Sequence, residues 1–245
     1  MRMRKKKHGE ERLDRCRALV YTHGGEPLTN PSGEVFGVDG REVYLEIGAG
    51  KGGFACGMVA ANPNVSYFAM ERVTDCVVLA AERAVAEGLS DNIRFMIDSA
   101  DRLLEIFAPH TVDKIFLNFS DPWSKKGYAK RRLTHRRYLA VYMTLLKDGG
   151  TLTFKTDNVG LFDFSLEELE ALGLTPVALT RDLHASEWNE GNVVTEYEAS
   201  FSSQGVRINM LRLIRPAGVD FTHLIPHELT LEGLRSPRRY GMGEE

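Results

Sequence analysis

From residue 42 onward the chain alternates short apolar runs with stretches of helical periodicity, and that alternation restricts the fold more than any other feature. The runs are "EVYLEI", "VSYFAME", "NIRFMID" and "VDKIFLNFSD"; between and after them, "GGFACGMVAA", "TDCVVLAAERAVAEG", "SADRLLEIF" and a stretch from about Arg132 to Lys147 repeat at helical spacing. Strand and helix in succession predict an α/β fold, a doubly wound, mostly parallel sheet with helices on both faces. Gly149 and Gly150 are expected to end the last of these helices and "TLTFKTD" to begin the next strand. A helix around Gly160 to Leu172 then leads into "LTPVALTRDL". Beyond the polar loop "HASEWNEGNVV", both "TEYEASF" and "VRINMLRLIR" are expected to be late antiparallel strands.

The 245 residues suffice for one sizeable core with appended arms. We expect a basic N-terminal arm over 1–40, the sheet domain over 41–215, and a C-terminal extension over 216–245, beginning at Pro216. No apolar run approaches the roughly 20 residues of a membrane span, and the start "MRMRKKKHGE" lacks the apolar region of a signal peptide. A cytoplasmic protein with no membrane partner is expected. Cys16, Cys56 and Cys76 are odd in number and form no CxxC pair, so they suggest neither a disulfide frame nor a zinc site.

The net charge of −3 hides two basic clusters. Arg2, Arg4, Lys5, Lys6, Lys7, Arg12, Arg15 and Arg17 form one; Lys125, Lys126, Lys130, Arg131, Arg132, Arg136 and Arg137 form the other. Together they hold 15 of the 31 basic residues and only three of the 34 acids. Such a distribution fits either contact with a polyanion at one place or two solvated faces.

"EIGAGKGG" follows the first strand, with Gly48 and Gly50 placed for a tight turn at a helix N-terminus. It is not a phosphate-cradling GxxxxGK[ST] loop. Acids end five successive strands: Glu46, Glu71, Asp98, Asp121 and Asp157. One such acid is as readily a helix cap. Five would line the carboxyl edge, where open α/β sheets bind ligands. They suit a cationic ligand rich in hydroxyl and amino donors, such as S-adenosylmethionine. NAD would also account for the glycines and for Glu71, 21 residues after Gly50, but its pyrophosphate is ill matched to so many acids.

Taken in order, "EIGAGKGGFA", "FAMER", "NFSDPWSKKGYAKRRL", "FKTDN" and "TEYE" resemble the tRNA (guanine-N7)-methyltransferase family of bacterial type. The resemblance spans roughly residues 40 to 205, the Asp-Pro-Trp with its basic run and the Thr-x-Tyr-Glu being its specific parts. It implies a seven-stranded, Rossmann-like class I methyltransferase fold, S-adenosylmethionine as cofactor and tRNA as partner. It places Glu46, Glu71, Asp98 and Asp121 at the cofactor, joining Gly48 and Gly50 of the turn. Lys125, Asp157, Thr195, Glu196, Tyr197 and Glu198 would face the substrate, and Lys126, Gly127, Tyr128, Ala129, Lys130, Arg131 and Arg132 the RNA. Asp121, at the cofactor–base junction, is the expected catalytic residue. Two features depart from the family: Ser120 stands where many members have proline, and the tail from Pro216 does not align.

Methylation at guanine N7 fits these residues without a nucleophile or a metal, because N7 carries an unprotonated lone pair at neutral pH. Trp123 would either stack on a base or fill the core. Glu198, or else Asp157, is expected to accept the N1–H and N2–H donors that distinguish guanine from adenine. Two other activities share part of the pattern. An adenine amino-group methyltransferase usually carries two prolines before the aromatic, and here there is one. An NAD-dependent oxidoreductase would leave both basic clusters unexplained. A monomer and a homodimer are equally compatible with the sequence.

Overall fold

The computed structural model describes residues 9–235. Its centre is a seven-stranded sheet of β1 (Glu42–Ile47), β2 (Val65–Glu71), β3 (Ile93–Ile97), β4 (Val112–Asn118), β5 (Leu146–Thr156), β6 (Ala178–Thr180) and β7 (Asn209–Ile214), in the order β3-β2-β1-β4-β5-β7-β6. The first five strands are parallel, and β7 runs antiparallel to both β5 and β6. The helices are α1 (Gly9–Arg15), α2 (Pro31–Phe36), α3 (Gly53–Ala61), α4 (Thr74–Ala86), α5 (Leu103–Ile106), α6 (Arg136–Leu145), α7 (Val159–Glu170), α8 (Glu196–Ser202) and α9 (Leu231–Arg235).

The central strands read as continuous apolar runs because both faces are covered. On one face, Val43, Leu45, Ile47, Phe68, Ile115, Leu117 and Phe154 pack against α5, α6 and α7. On the other, Tyr44, Tyr67, Ala69 and Phe116 pack against α3 and α4. Gly52 joins β1 to α3 with φ 75°, and a Cβ there would lie 2.7 Å from the Cβ of Ala80 in α4. Only glycine lets the turn lie that close to its neighbour.

The stretch before β1 lies along the sheet. Val20 bridges to Phe95, Leu28 bridges to Phe107, and Arg12 pairs with Glu82 of α4. After Pro216, Phe221 and Leu229 are buried in the main core. Arg2, Arg4, Lys5, Lys6 and Lys7 lie outside the described residues, as do residues 236–245. Cys16 and Cys56 are free thiols and buried. Among the described residues no helix is long and apolar enough to cross a membrane.

Several expected elements differ. "TEYEASF" is helix α8, not a strand: Thr195 accepts from the Glu198 amide while the Glu198 side chain reaches back to the Thr195 amide, a capping box. Two orphan amides are satisfied locally, and this outweighs the period-2 look of the segment. The helix expected over Arg132–Lys147 is confined to Arg136–Leu145, behind a 3-10 turn over Lys126–Arg131. Gly149 and Gly150 do not end it; they lie inside β5, which begins at Leu146, with a register shift opposite at Val112/Lys114. "SADRLLEIF" splits into a 3-10 turn and the single turn α5, and of "LTPVALTRDL" only Ala178–Thr180 is strand.

Candidate active site

Two cavities of about 400 and 310 Å3 meet at Gly48, Gly50 and Phe119, beyond the carboxyl ends of β1, β2 and β4. The larger is lined by Glu46, Phe54, Asn118 and, from α8, Thr195 to Tyr197. Glu71, Asp98, Ser99, Asp121, Trp123 and Arg131 line the smaller. Gly48 and Gly50 turn with φ 85° and 55°. Phe119 and Trp123, flanking Asp121, also have positive φ, 51° and 41°. Bulky side chains adopt that conformation only where the surroundings impose it, commonly at ligand sites.

Of the expected residues, Glu46, Gly48, Gly50, Glu71, Asp98, Asp121, Thr195, Glu196, Tyr197 and Arg131 line this cleft. Lys125, Asp157, Glu198 and the rest of the basic turn lie outside it. Glu71 fixes the glycine turn, accepting the Gly50 amide at 3.0 Å and the Val73 amide at 2.9 Å. Asp98 accepts from Arg102 at 2.9 Å and from the Ser99 amide at 2.8 Å. Asp121 is exposed and makes no ion pair among the described residues. Asp157 lies half-buried just past β5; burial and its charge together raise the Tyr197 phenol.

The expected row of acids without cations therefore holds only in part. Of those five, Asp98 is paired with Arg102; on α8, outside the row, Glu196 is paired with Arg83 and Glu198 with Lys155. Glu198 is wholly buried, and its oxygens accept from Lys155 at 2.6 Å, Asn192 at 2.8 Å and His184 at 2.9 Å. Burial alone would push this carboxyl up, but Lys155, Asn192 and His184 hold it below the usual range. Glu198, expected to read a base edge, thus has its oxygens engaged by the protein's own donors, and it anchors α8 to β5. Glu46 is the reverse case. It is 2% exposed, among the described residues accepts only from Asn118 at 3.0 Å and Tyr67 at 3.2 Å, and burial raises its pKa to about 7.

Trp123 does not fill the core. It is half-buried at the smaller cavity, edge-on to Tyr128, with the Arg131 guanidinium 5.2 Å from its ring and 4.8 Å from that of Tyr128. Lys125, Lys126, Lys130 and Arg131 are exposed on the turn beside it. Arg132 instead holds the loop, donating to the carbonyls of Pro122 at 2.9 Å and Trp123 at 3.2 Å. Arg136 and Arg137 are likewise tied to Glu168 and Asp101. The basic cluster thus divides into four outward cations and three tied to the protein's own carbonyls and carboxylates.

Residues 40–211 match the model of a family described as putative methyltransferase, the family that includes the tRNA (guanine-N7)-methyltransferases. The chain belongs to this family. Among solved structures it is similar to an antibiotic-related methyltransferase (17% identity, TM-score 0.56, covering 78% of this chain and 96% of the other). It is also similar to the 16S rRNA methyltransferase KamB (11%, TM-score 0.57, 80% and 97%) and to the antibiotic-resistance methyltransferase Kmr (16%, 0.54, 80% and 97%). At such identities the likeness shows the fold, that of the class I methyltransferases.

Asn118, Tyr67 and Lys155 were not among the sequence candidates. Asn118 and Lys155 left one signal: each is a polar residue close to a strand's carboxyl end, Asn118 the last residue of β4 in "FLNF" and Lys155 the next to last of β5 in "TFKT".

Proposed function

We propose that this methyltransferase transfers a methyl group from S-adenosylmethionine to N7 of a guanine in the variable loop of tRNA, in the cytoplasm. One observation carries the reading: exposed Asp121 stands between a cleft of carboxylates and a turn presenting Lys125, Lys126, Lys130 and Arg131. The cleft's chemistry fits the cofactor, because Glu46, Glu71 and Asp121 are acceptors with no cation paired to them among the described residues. When bound, S-adenosylmethionine supplies an electrophilic methyl on a sulfonium.

Glu71, already rigid through its two backbone contacts, is placed to hold ribose hydroxyls, with Asp98 and Ser99 at the adenine end. Asp121 stays close to the positive charge as it passes to the base, which needs no general base since N7 is already free. Alignment of N7 is worth up to roughly 7–11 kcal/mol in favourable intramolecular cases. The four outward cations hold tRNA phosphates beside the cleft, with Trp123 available as a stacking surface. The test is mass spectrometry of nucleosides from unmodified tRNA treated with protein and S-adenosylmethionine. N7-methylguanosine is expected from the wild type and none from a folded Asp121→Ala variant; methylation only at an adenine amino group would replace the reading.

A further inference from the structure

The loop that carries Asp121 is pinned on both sides of that residue. Before it, the Phe119 amide donates to the Lys155 carbonyl of β5 at 2.9 Å. After it, Arg132 donates from Nε to the Pro122 carbonyl at 2.9 Å and from Nη2 to the Trp123 carbonyl at 3.2 Å. Among the described residues the Asp121 side chain has no hydrogen bond or ion pair of its own, so the two pins set where its carboxylate stands. The backbone between them is not relaxed. Phe119 and Trp123, at its two ends, both hold positive φ, and such residues keep that conformation only under outside constraint.

Arg132 is built to supply the constraint. Its guanidinium presents Nε–H and an Nη–H side by side in one plane, which suits two successive carbonyls and which an ammonium cannot reproduce. Phe164 of α7 fixes that plane, with its ring centre 4.2 Å from the guanidinium carbon. The root of the side chain is fixed as well: the Arg132 amide donates to the Ala129 carbonyl, and the Arg132 carbonyl accepts from the His135 amide, both at 3.0 Å. Arg132 is half-buried, whereas Lys125, Lys126, Lys130 and Arg131 are exposed. An arginine placed for phosphates would turn its fork to solvent; this one turns it onto the loop. We propose that Arg132 is a positioning residue for methyl transfer: braced on Phe164, it holds the Pro122 and Trp123 carbonyls so that Asp121 faces the cleft. This rests on Asp121 acting at the reacting centre.

Single-turnover methylation of unmodified tRNA at saturating protein and S-adenosylmethionine, together with tRNA binding across salt concentrations, tests it. Arg132→Lys keeps the charge and loses the fork; its saturated rate is expected to fall about 100-fold, as a displacement of about 1 Å can cause. Arg132→Met removes the charge and is expected to leave the log–log salt slope of tRNA binding unchanged, whereas Lys130→Met reduces it by roughly one. Phe164→Leu, which takes away the ring behind the guanidinium, is expected to lower the saturated rate roughly tenfold with tRNA affinity unchanged. A wild-type rate in Arg132→Lys, or a slope in Arg132→Met reduced as far as in Lys130→Met, would overturn the assignment. Should the Arg132 variants not fold, a wild-type rate in Phe164→Leu would overturn it. A wild type that methylates no tRNA would remove the proposed function, and this assignment with it.

Discussion

Glu46 and Glu198 are two buried carboxylates served from one face of the same sheet, 2% and 0% exposed, and they are treated oppositely. Glu198 has an ammonium at 2.6 Å and is held below its ordinary pKa; Glu46 has an amide and a phenol, and burial lifts it to about 7. A buried charge with its cation is a clip, here fastening α8 over the cleft. A buried carboxyl without one is destabilising until a cation arrives. The fold thus keeps its compensated acid for structure, and the proposed function gives its uncompensated acid to a ligand.

The clip gives the largest effect. Lys155→Met strands Glu198 in the interior and is expected to cost about 3–5 kcal/mol in urea unfolding. The double variant Lys155→Met/Glu198→Leu should recover much of this. A single variant as stable as wild type would show that Glu198 is not held by charge.

Glu46 behaves in the opposite sense. Its folded pKa of about 7 lies above the usual 4.5, so between those values the folded chain holds a proton that the unfolded chain has lost. Stability should therefore fall as pH rises from about 4.5 to 7, by on the order of 3 kcal/mol in all. Glu46→Gln removes that fall: unfolding at pH 8 should show the variant more stable than wild type, with the gap nearly gone at pH 4.5, while affinity for S-adenosylhomocysteine drops by two orders of magnitude or more. A stability gap independent of pH would contradict this account of Glu46. A smaller effect sharpens the contrast from the clip's side. Thr195→Ala removes half of the capping box and should cost roughly 1 kcal/mol, leaving the buried ion pair in place.

How much of this the sequence displays depends on the range of the interaction. Strands β1 to β4 are legible because burial on both faces makes them plain apolar runs, and the acids at their ends fall at the cleft as the Rossmann-like pattern requires. Local capping was present in "TEYE" too, but an alternating reading of the segment hid it. The glycines at 149 and 150 misled because a strand bulge and a helix end call for the same residue. Asn118, Tyr67 and Lys155 form a row only once β2, β1, β4 and β5 are in register, and residues up to 88 positions apart settle which buried acid has a cation. The division of the basic cluster is hidden for the same reason, since Glu168 and Asp101, which take Arg136 and Arg137, lie more than 30 residues away.

The contrast between the two acids is tested most directly by counting protons. Tyr67, Asn118, Lys155, Glu71 and Cys56 are the groups that bear on Glu46, and none of them brings a cation into contact with it. An arriving ammonium should therefore discharge its proton. Titrating S-adenosylhomocysteine into wild type at pH 7, in buffers of different ionisation enthalpy, should show release of roughly half a proton per ligand bound, rising towards one at pH 6 and absent in Glu46→Gln. Binding by wild type with no proton released at either pH would contradict the claim that Glu46 waits uncompensated for the cofactor's cation.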